Sequence, residues 1–174
     1  MGGSNWEMSI ESEVVMFCEG GCSCRNVRYR LNTRPMFVHA CHCGNCQRLT
    51  GGAFAMNAII EKDAVELISG TPTMFELKGG SGQQHDIYFC KNCGTYIWNE
   101  YHIFPGSTWF VRVGTLDDPN ILKPDVHIFT RWKHTSISLP DDVPAFDERY
   151  DREKLWTAES LARLEASTTA NKGG

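Results

Sequence analysis

The chain has 174 residues, of which 41% are hydrophobic and 22% charged, the size and composition of one globular domain with a sizeable core. Its formal net charge of −4 lacks the basic excess of a nucleic-acid binder. No apolar run approaches the roughly 18 residues of a membrane span. The first ten residues lack the apolar stretch of a signal peptide, and Trp6 stands where a myristoylation motif needs Ser or Thr. The expected location is therefore cytoplasmic, with reduced thiols and neither nucleic-acid nor membrane partners.

Residues 1–16 read as a flexible N-terminal extension. Val27, Tyr29 and Leu31 then alternate with Arg28 and Arg30, the pattern of a strand with one buried face. Residues 54–60 form a more continuously apolar strand. Residues 64–68 and 73–77 flank Ser69-Gly70-Thr71-Pro72, a turn signal that predicts a hairpin. Residues 85–89 lead into a cysteine pair. Trp109, Val111 and Val113 alternate with Phe110 and Arg112 before a turn over 114–120. One helix is predicted near the end, capped by Asp151, with Leu155, Ala158, Leu161, Ala162 and Leu164 at helical spacing. Its stripe suits packing on its own sheet, with a homodimer contact as the alternative use. The fold class is thus mainly β with a short C-terminal helix. The boundaries are a zinc-binding β domain over 17–150 and a C-terminal helix and tail over 151–174.

The cysteines fall into tight groups. Cys90-x-x-Cys93-Gly94 has the spacing of a metal knuckle, in which two intervening residues let both sulfurs face one ion. Such a knuckle needs two more ligands. Cys22-x-Cys24 could supply them, and so could part of Cys41-x-Cys43-x-x-Cys46. Taking the first pair leaves the triplet intact, with its own metal and one open position, the mark of a catalytic zinc. The grouping follows only if both metals bind. It then makes two zinc ions per chain through seven of eight cysteines, with Cys18 left as a small buried hydrophobe.

A redox dithiol at Cys90 and Cys93 would want a βαβ setting that the pattern lacks. A nucleobase deaminase would want an H-x-E and a P-C-x-x-C, and here Phe89 precedes Cys90. Three thiolates leave a divalent ion with net charge near −1. Such a site acidifies water weakly but suits a soft sulfur ligand, so thiol chemistry is favoured over hydrolysis.

These motifs resemble the glutathione-dependent formaldehyde-activating enzyme family, which also contains centromere protein V-like proteins. The resemblance is carried by Gly21-Cys22-Ser23-Cys24, by Cys41-His42-Cys43-Gly44-Asn45-Cys46-Gln47-Arg48 with Gly51-Gly52, and by Tyr88-Phe89-Cys90-Lys91-Asn92-Cys93-Gly94-Thr95. Gly114-Thr115-Leu116-Asp117-Asp118-Pro119 and His127-Ile128-Phe129 continue it. It runs over roughly 18–148. The resemblance implies a small domain of tent-like β-sheets stapled by zinc. It implies a structural zinc on Cys22, Cys24, Cys90 and Cys93, a catalytic zinc on Cys41, Cys43 and Cys46, and glutathione as substrate or cosubstrate. The implied activity is that of a zinc-dependent carbon-sulfur lyase acting on glutathione adducts.

Glutathione carries two carboxylates, so Arg48, two residues after Cys46, is the expected substrate-binding residue. Arg131, Lys133 and His134 are weaker candidates. His42 sits between two ligands but alternation turns it away from them, so its expected role is structural. His39, His85, His102 and His127 are expected in the core or on the surface, and Trp98, Tyr101, Phe104 and Trp109 in the core or a pocket wall. The alternative to an enzyme is a non-catalytic zinc-binding interaction module. A zinc hydrolase would need a general base, for which Glu61 and His42 are the nearest residues.

Overall fold

The computed structural model describes residues 18–102, 104 and 107–170. The expected extension over 1–16 and the last residues of the tail, 171–174, lie outside them. Eleven strands make two open sheets. The smaller holds β1 (Cys18–Gly21), β2 (Arg28–Leu31) and β5 (Val65–Ser69) in that order. The larger holds β3 (Phe37–Cys41), β4 (Ala55–Glu61), β6 (Thr73–Lys78), β7 (Gln84–Phe89), β8 (Tyr96–Tyr101), β9 (Thr108–Arg112), β10 (Val126–Ile128) and β11 (Ala145–Phe146). Its strand order is β11-β10-β3-β4-β9-β8-β7-β6. The mainly β reading and the strand at Val27 to Leu31 agree with this architecture.

Two local expectations are corrected. The turn at Ser69-Gly70-Thr71-Pro72 does not close a hairpin, because β5 pairs with β2 and β6 pairs with β7 in the other sheet. Gly70, at φ +67°, packs so close to the loop before β2 that a Cβ there would lie 2.2 Å from the Asn26 carbonyl oxygen. The turn is thereby held against the small sheet and sends the chain across to the large one. The single terminal helix is in fact two. Asp151 caps α2 (Arg152–Leu155) through the Glu153 N–H, Trp156 leaves helical geometry, and Thr157 accepts from the Ser160 N–H early in α3 (Ala158–Ala170). Serine and threonine hydroxyls offer the backbone this alternative to a continuous ladder.

The central strands are covered on both faces. On one face Ala58, Ile60, Val111 and Trp98 pack against Val27, Tyr29 and Leu31 of the small sheet. The Tyr29 ring meets Trp98 edge-on at 5.4 Å and its hydroxyl lies 2.7 Å from the Thr115 hydroxyl. On the other face Phe37, Ile59 and Phe110 pack with Trp156 and Leu164 of the C-terminal segment. Phe37 and Trp156 stack at 5.0 Å, and Arg163 makes two hydrogen bonds of 2.8 and 2.7 Å to Glu61. The helix stripe is therefore used on the chain's own sheet. Fully burying side chains of this size contributes about 1.5–3 kcal/mol each. Among the described residues no helix is long and apolar enough to cross a membrane.

Candidate functional site

Cys22, Cys24, Cys90 and Cys93 converge, their sulfurs all within 4.8 Å of one another. Two tight turns do this. The first lies between β1 and β2, where the Cys22 N–H bonds the Val27 carbonyl at 3.0 Å and Arg25 adopts φ +60°. The second follows β7, where the Gly94 N–H bonds the Cys90 carbonyl at 2.8 Å and Gly94 takes φ +72°. Thr95 joins the turns, since its hydroxyl accepts from the Ser23 N–H at 3.1 Å and lies 3.2 Å from the Cys93 sulfur. Cys22 and Cys90 are buried while Cys24 and Cys93 are exposed.

The sulfur charge is unevenly held. Burial opposes ionisation of Cys22, but the Val27 N–H and neighbouring thiols outweigh it and hold its pKa below the ordinary thiol value. The Thr95 hydroxyl lowers Cys93 to about 6. Cys24, despite the Asn26 N–H, is pushed up to about 12 by Cys22 and Cys93. A tetrahedral zinc with sulfur ligands needs sulfurs about 3.8 Å apart. Cys22 to Cys24 is 3.5 Å and Cys24 to Cys90 is 3.8 Å, so the donor set fits one such ion.

Cys41, Cys43 and Cys46 form a second group, also with sulfurs within 4.8 Å. Cys41 ends β3. Cys43 caps α1 (Gly44–Thr50), its sulfur accepting from the Cys46 N–H at 3.4 Å. Gln47 locks the turn, donating to the His42 carbonyl at 2.7 Å and to the Trp132 carbonyl at 2.9 Å. The thiols of Cys41 and Cys46 bond Cys43 and pull it down to about 2. Bonds with Cys43 first and then Cys46, followed by burial, drive Cys41 strongly upward. Cys46 feels a lowering bond from Cys41, yet Cys43 and burial carry it up to about 11. Losing the first proton is easy and the rest are costly, as expected of a donor set that is completed by a cation.

The triplet lies on the floor of a cleft of about 900 Å³. Among the described residues its wall carries six cationic side chains, Arg48, Lys78, Arg112, Arg131, Arg149 and Arg152, and no Asp or Glu. Arg48, the substrate-binding candidate, is exposed on α1 and lines the cleft. Arg131 stacks over Trp132 at 3.9 Å and pairs with Glu148. Lys133 and His134 turn elsewhere, bonding the Ile137 carbonyl and Ser136, and neither lines the cleft.

His42 is fully buried, 3.0 Å from His127, and does not line the cleft, and burial lowers its pKa to about 4. His39 and His85 are buried as expected but also line the cleft. Burial drives His39 down to about 3, and burial followed by the Arg112 charge lowers His85. The Tyr150 hydroxyl accepts from Trp156 Nε1 and donates to the neutral His39 Nε2, both at 2.6 Å. Tyr101 and Phe104 line the cleft, whereas Trp98 and Trp109 belong to the core on the opposite face. Cys18 is buried, which raises its pKa.

The reading from sequence missed Asn57, Asn99, Arg112, Arg149 and Arg152, all of which line the cleft. For Arg149 and Arg152 no signal existed, because the run from Asp147 to Lys154 is dense in both charges and reads as solvated surface.

Residues 17–132 match the family described as "Glutathione-dependent formaldehyde-activating enzyme", a shorter stretch than the 18–148 expected from the motifs. A protein from Penicillium rubens is 26% identical over 59% of this chain and 54% of its own length. One from Halomonas elongata is 29% identical over 48% of this chain and 55% of its own length. Both carry the provisional name glutathione-dependent formaldehyde-activating enzyme, and the chain spans about half the length of each. A solved structure of a Rhodobacter sphaeroides protein is similar at a TM-score of 0.46 and 19% identity, over 74% of this chain and 99% of that one. Covered by that family over most of its described length, and carrying both cysteine groups inside the matched span, the chain belongs to the glutathione-dependent formaldehyde-activating enzyme family.

Proposed function

We propose that the chain is a cytoplasmic enzyme that takes glutathione, or a glutathione adduct, into the cleft and makes, breaks or rearranges the carbon-sulfur bond as a lyase would. The observation that carries this reading is the pairing of three sulfurs with a cleft wall that, among the described residues, holds six cations and no carboxylate. A tripeptide with two carboxylates and a thiol is the complement of such a wall, and the family's description points to the same substrate.

Cys41, Cys43 and Cys46 would hold a catalytic metal, and Cys22, Cys24, Cys90 and Cys93 a structural one. Bound at the triplet, a zinc ion would supply affinity for a thiolate. The chain's own residues do the rest. Arg48, with the other rim cations, draws in and orients the carboxylates. Phe104 and Phe110 narrow the apolar part of the cleft, and the His39–Tyr150–Trp156 chain fixes its wall. Fixing the substrate in this way converts the chemistry to an effectively unimolecular step.

Calorimetry on the zinc-loaded protein tests the reading. Glutathione should bind, and S-methylglutathione, which cannot form a thiolate, should bind much more weakly. Equal affinities would remove the sulfur anchor. The exposed Leu67, Ile68, Met74 and Phe75 on β5 and β6 favour a second reading, a zinc-stapled interaction module, which predicts no thiol binding at all.

A further inference from the structure

Strand register puts Asn57 of β4 directly opposite Arg112 of β9, and His39 of β3 opposite Asn57. Directly opposed residues share a face, and this row faces the cleft that holds the thiols of Cys41 and Cys46. Arg112 is only 5% exposed. Its Nη1 donates to Asn57 Oδ1 at 2.5 Å, and the guanidinium carbon lies over the Tyr96 ring, 4.1 Å from its centroid. Among the described residues its buried Nε–H finds no acceptor, and buried Nδ1 of His85, which also lines the cleft, finds no partner either. Among the described residues no carboxylate pairs with Arg112.

A desolvated cation with neutral partners and an idle N–H is costly to keep. Asn57 and Tyr96 hold it rigidly without cancelling its charge. Such an arrangement is suited to an anionic oxygen that is present only when substrate is bound. Resting on the thiol-adduct reading above, we infer that Arg112 is a catalytic residue. It holds the oxygen borne by the carbon that is joined to the substrate's sulfur, with Asn57 positioning it.

The step balances without a further reagent. In adduct formation a sulfur lone pair forms the C–S bond while the C=O π pair moves onto oxygen. Arg112 stabilises that oxygen until it takes a proton from water. In the reverse direction hydroxide takes that proton back to give water, the oxygen pair re-forms C=O and the C–S pair returns to sulfur. Arg112 stays protonated throughout.

Two small probes separate the oxygen subsite from the sulfur anchor, each titrated into the zinc-loaded full chain by calorimetry. Thioacetate carries sulfur and oxygen on one carbon, and 2-mercaptoethanol carries no such oxygen. Arg112→Met should weaken thioacetate by about tenfold or more, the scale of a hydrogen bond to a charged group. It should leave 2-mercaptoethanol within about threefold, and Arg112→Lys should restore part of the thioacetate affinity. Asn57→Asp keeps the shape but supplies a permanent carboxylate to Arg112, and should remove the thioacetate advantage even if Arg112→Met folds poorly. Equal losses for both probes would mean that Arg112 only balances the charge of the sulfur group, and would overturn the inference. So would a thioacetate advantage that survives Asn57→Asp. Failure of both probes to bind the unmutated protein would overturn the thiol reading itself.

Discussion

The sulfurs of Cys24 and Cys90 lie 3.8 Å apart although 66 positions separate them in the chain. The Ser23–Thr95 bond also ties the first turn to the second. An ion held there would join the small sheet to the large one, and its binding energy would be folding energy. The triplet, by contrast, spans one local segment.

Cys24→Ser should therefore be thermally fragile, with Tm lowered by about 10 °C or more. Several kcal/mol are at stake, and each is worth about 2–4 °C in a chain of this size. Cys46→Ser should melt within about 3 °C of the unmutated protein and lose thiol binding. Circular dichroism melts and calorimetry on both variants decide the matter, and the opposite pattern would exchange the two roles.

Gently purified protein should carry close to two zinc ions per chain. The three-sulfur site, with one protein ligand fewer, should empty first under chelation. Elemental analysis at intervals after addition of a chelator gives the order. A content near one, with Cys41, Cys43 and Cys46 freely alkylated, would leave only the four-cysteine site.

Arg149 sits on the cleft rim with no carboxylate partner among the described residues. Arg149→Ala should weaken glutathione about two- to fivefold, the worth of an exposed ion pair. Raising salt should weaken binding further, because rim charges are screened. Cysteamine, a thiol without carboxylates, should be insensitive to the substitution, and an equal effect on it would refute a carboxylate contact.

His39 stays neutral down to about 3 because it is buried, whereas an unfolded histidine titrates near about 6.5. Between those values the unfolded chain binds the extra proton. Stability is thus full above the unfolded value and is lost as pH falls toward the folded one, at about 1.4 kcal/mol per pH unit. His39→Gln keeps an acceptor for Tyr150 and removes the titration. Denaturant melts from pH 7 to 4 should show its slope smaller by about one proton, and an unchanged slope would place His39 outside the acid response.

The joining of Cys22 and Cys24 with Cys90 and Cys93 is long-range and came from the fold, whereas each cysteine cluster was legible because ligand spacing within it is a local property of the chain. The second half of the cleft was not. Arg112 alternates with Val111 and Val113, which normally marks the solvent face of a strand. Here β9 is covered on both faces, by the small sheet on one and by the C-terminal segment on the other, so the polar position is buried too. All five residues of β3 are buried for the same reason, which erased the alternation that would have announced the strand. The hairpin reading at Gly70 failed on a long-range contact, the approach to Asn26, that no turn rule contains.

The dependence of His39 on Tyr150 and Trp156 also sets an order of assembly at the ribosome. A chain emerging N-terminus first presents all four sulfurs of the first group once Cys93 has cleared the exit. The wall built from Arg149, Tyr150 and Arg152 arrives only after β10 and β11 have paired in parallel beside β3. A nascent chain could thus bind an ion at the four-cysteine group before it owns a complete cleft wall. A metal at the triplet would arrive while that group is still open to small-molecule carriers, and recognition of a substrate would be the last property the domain gains.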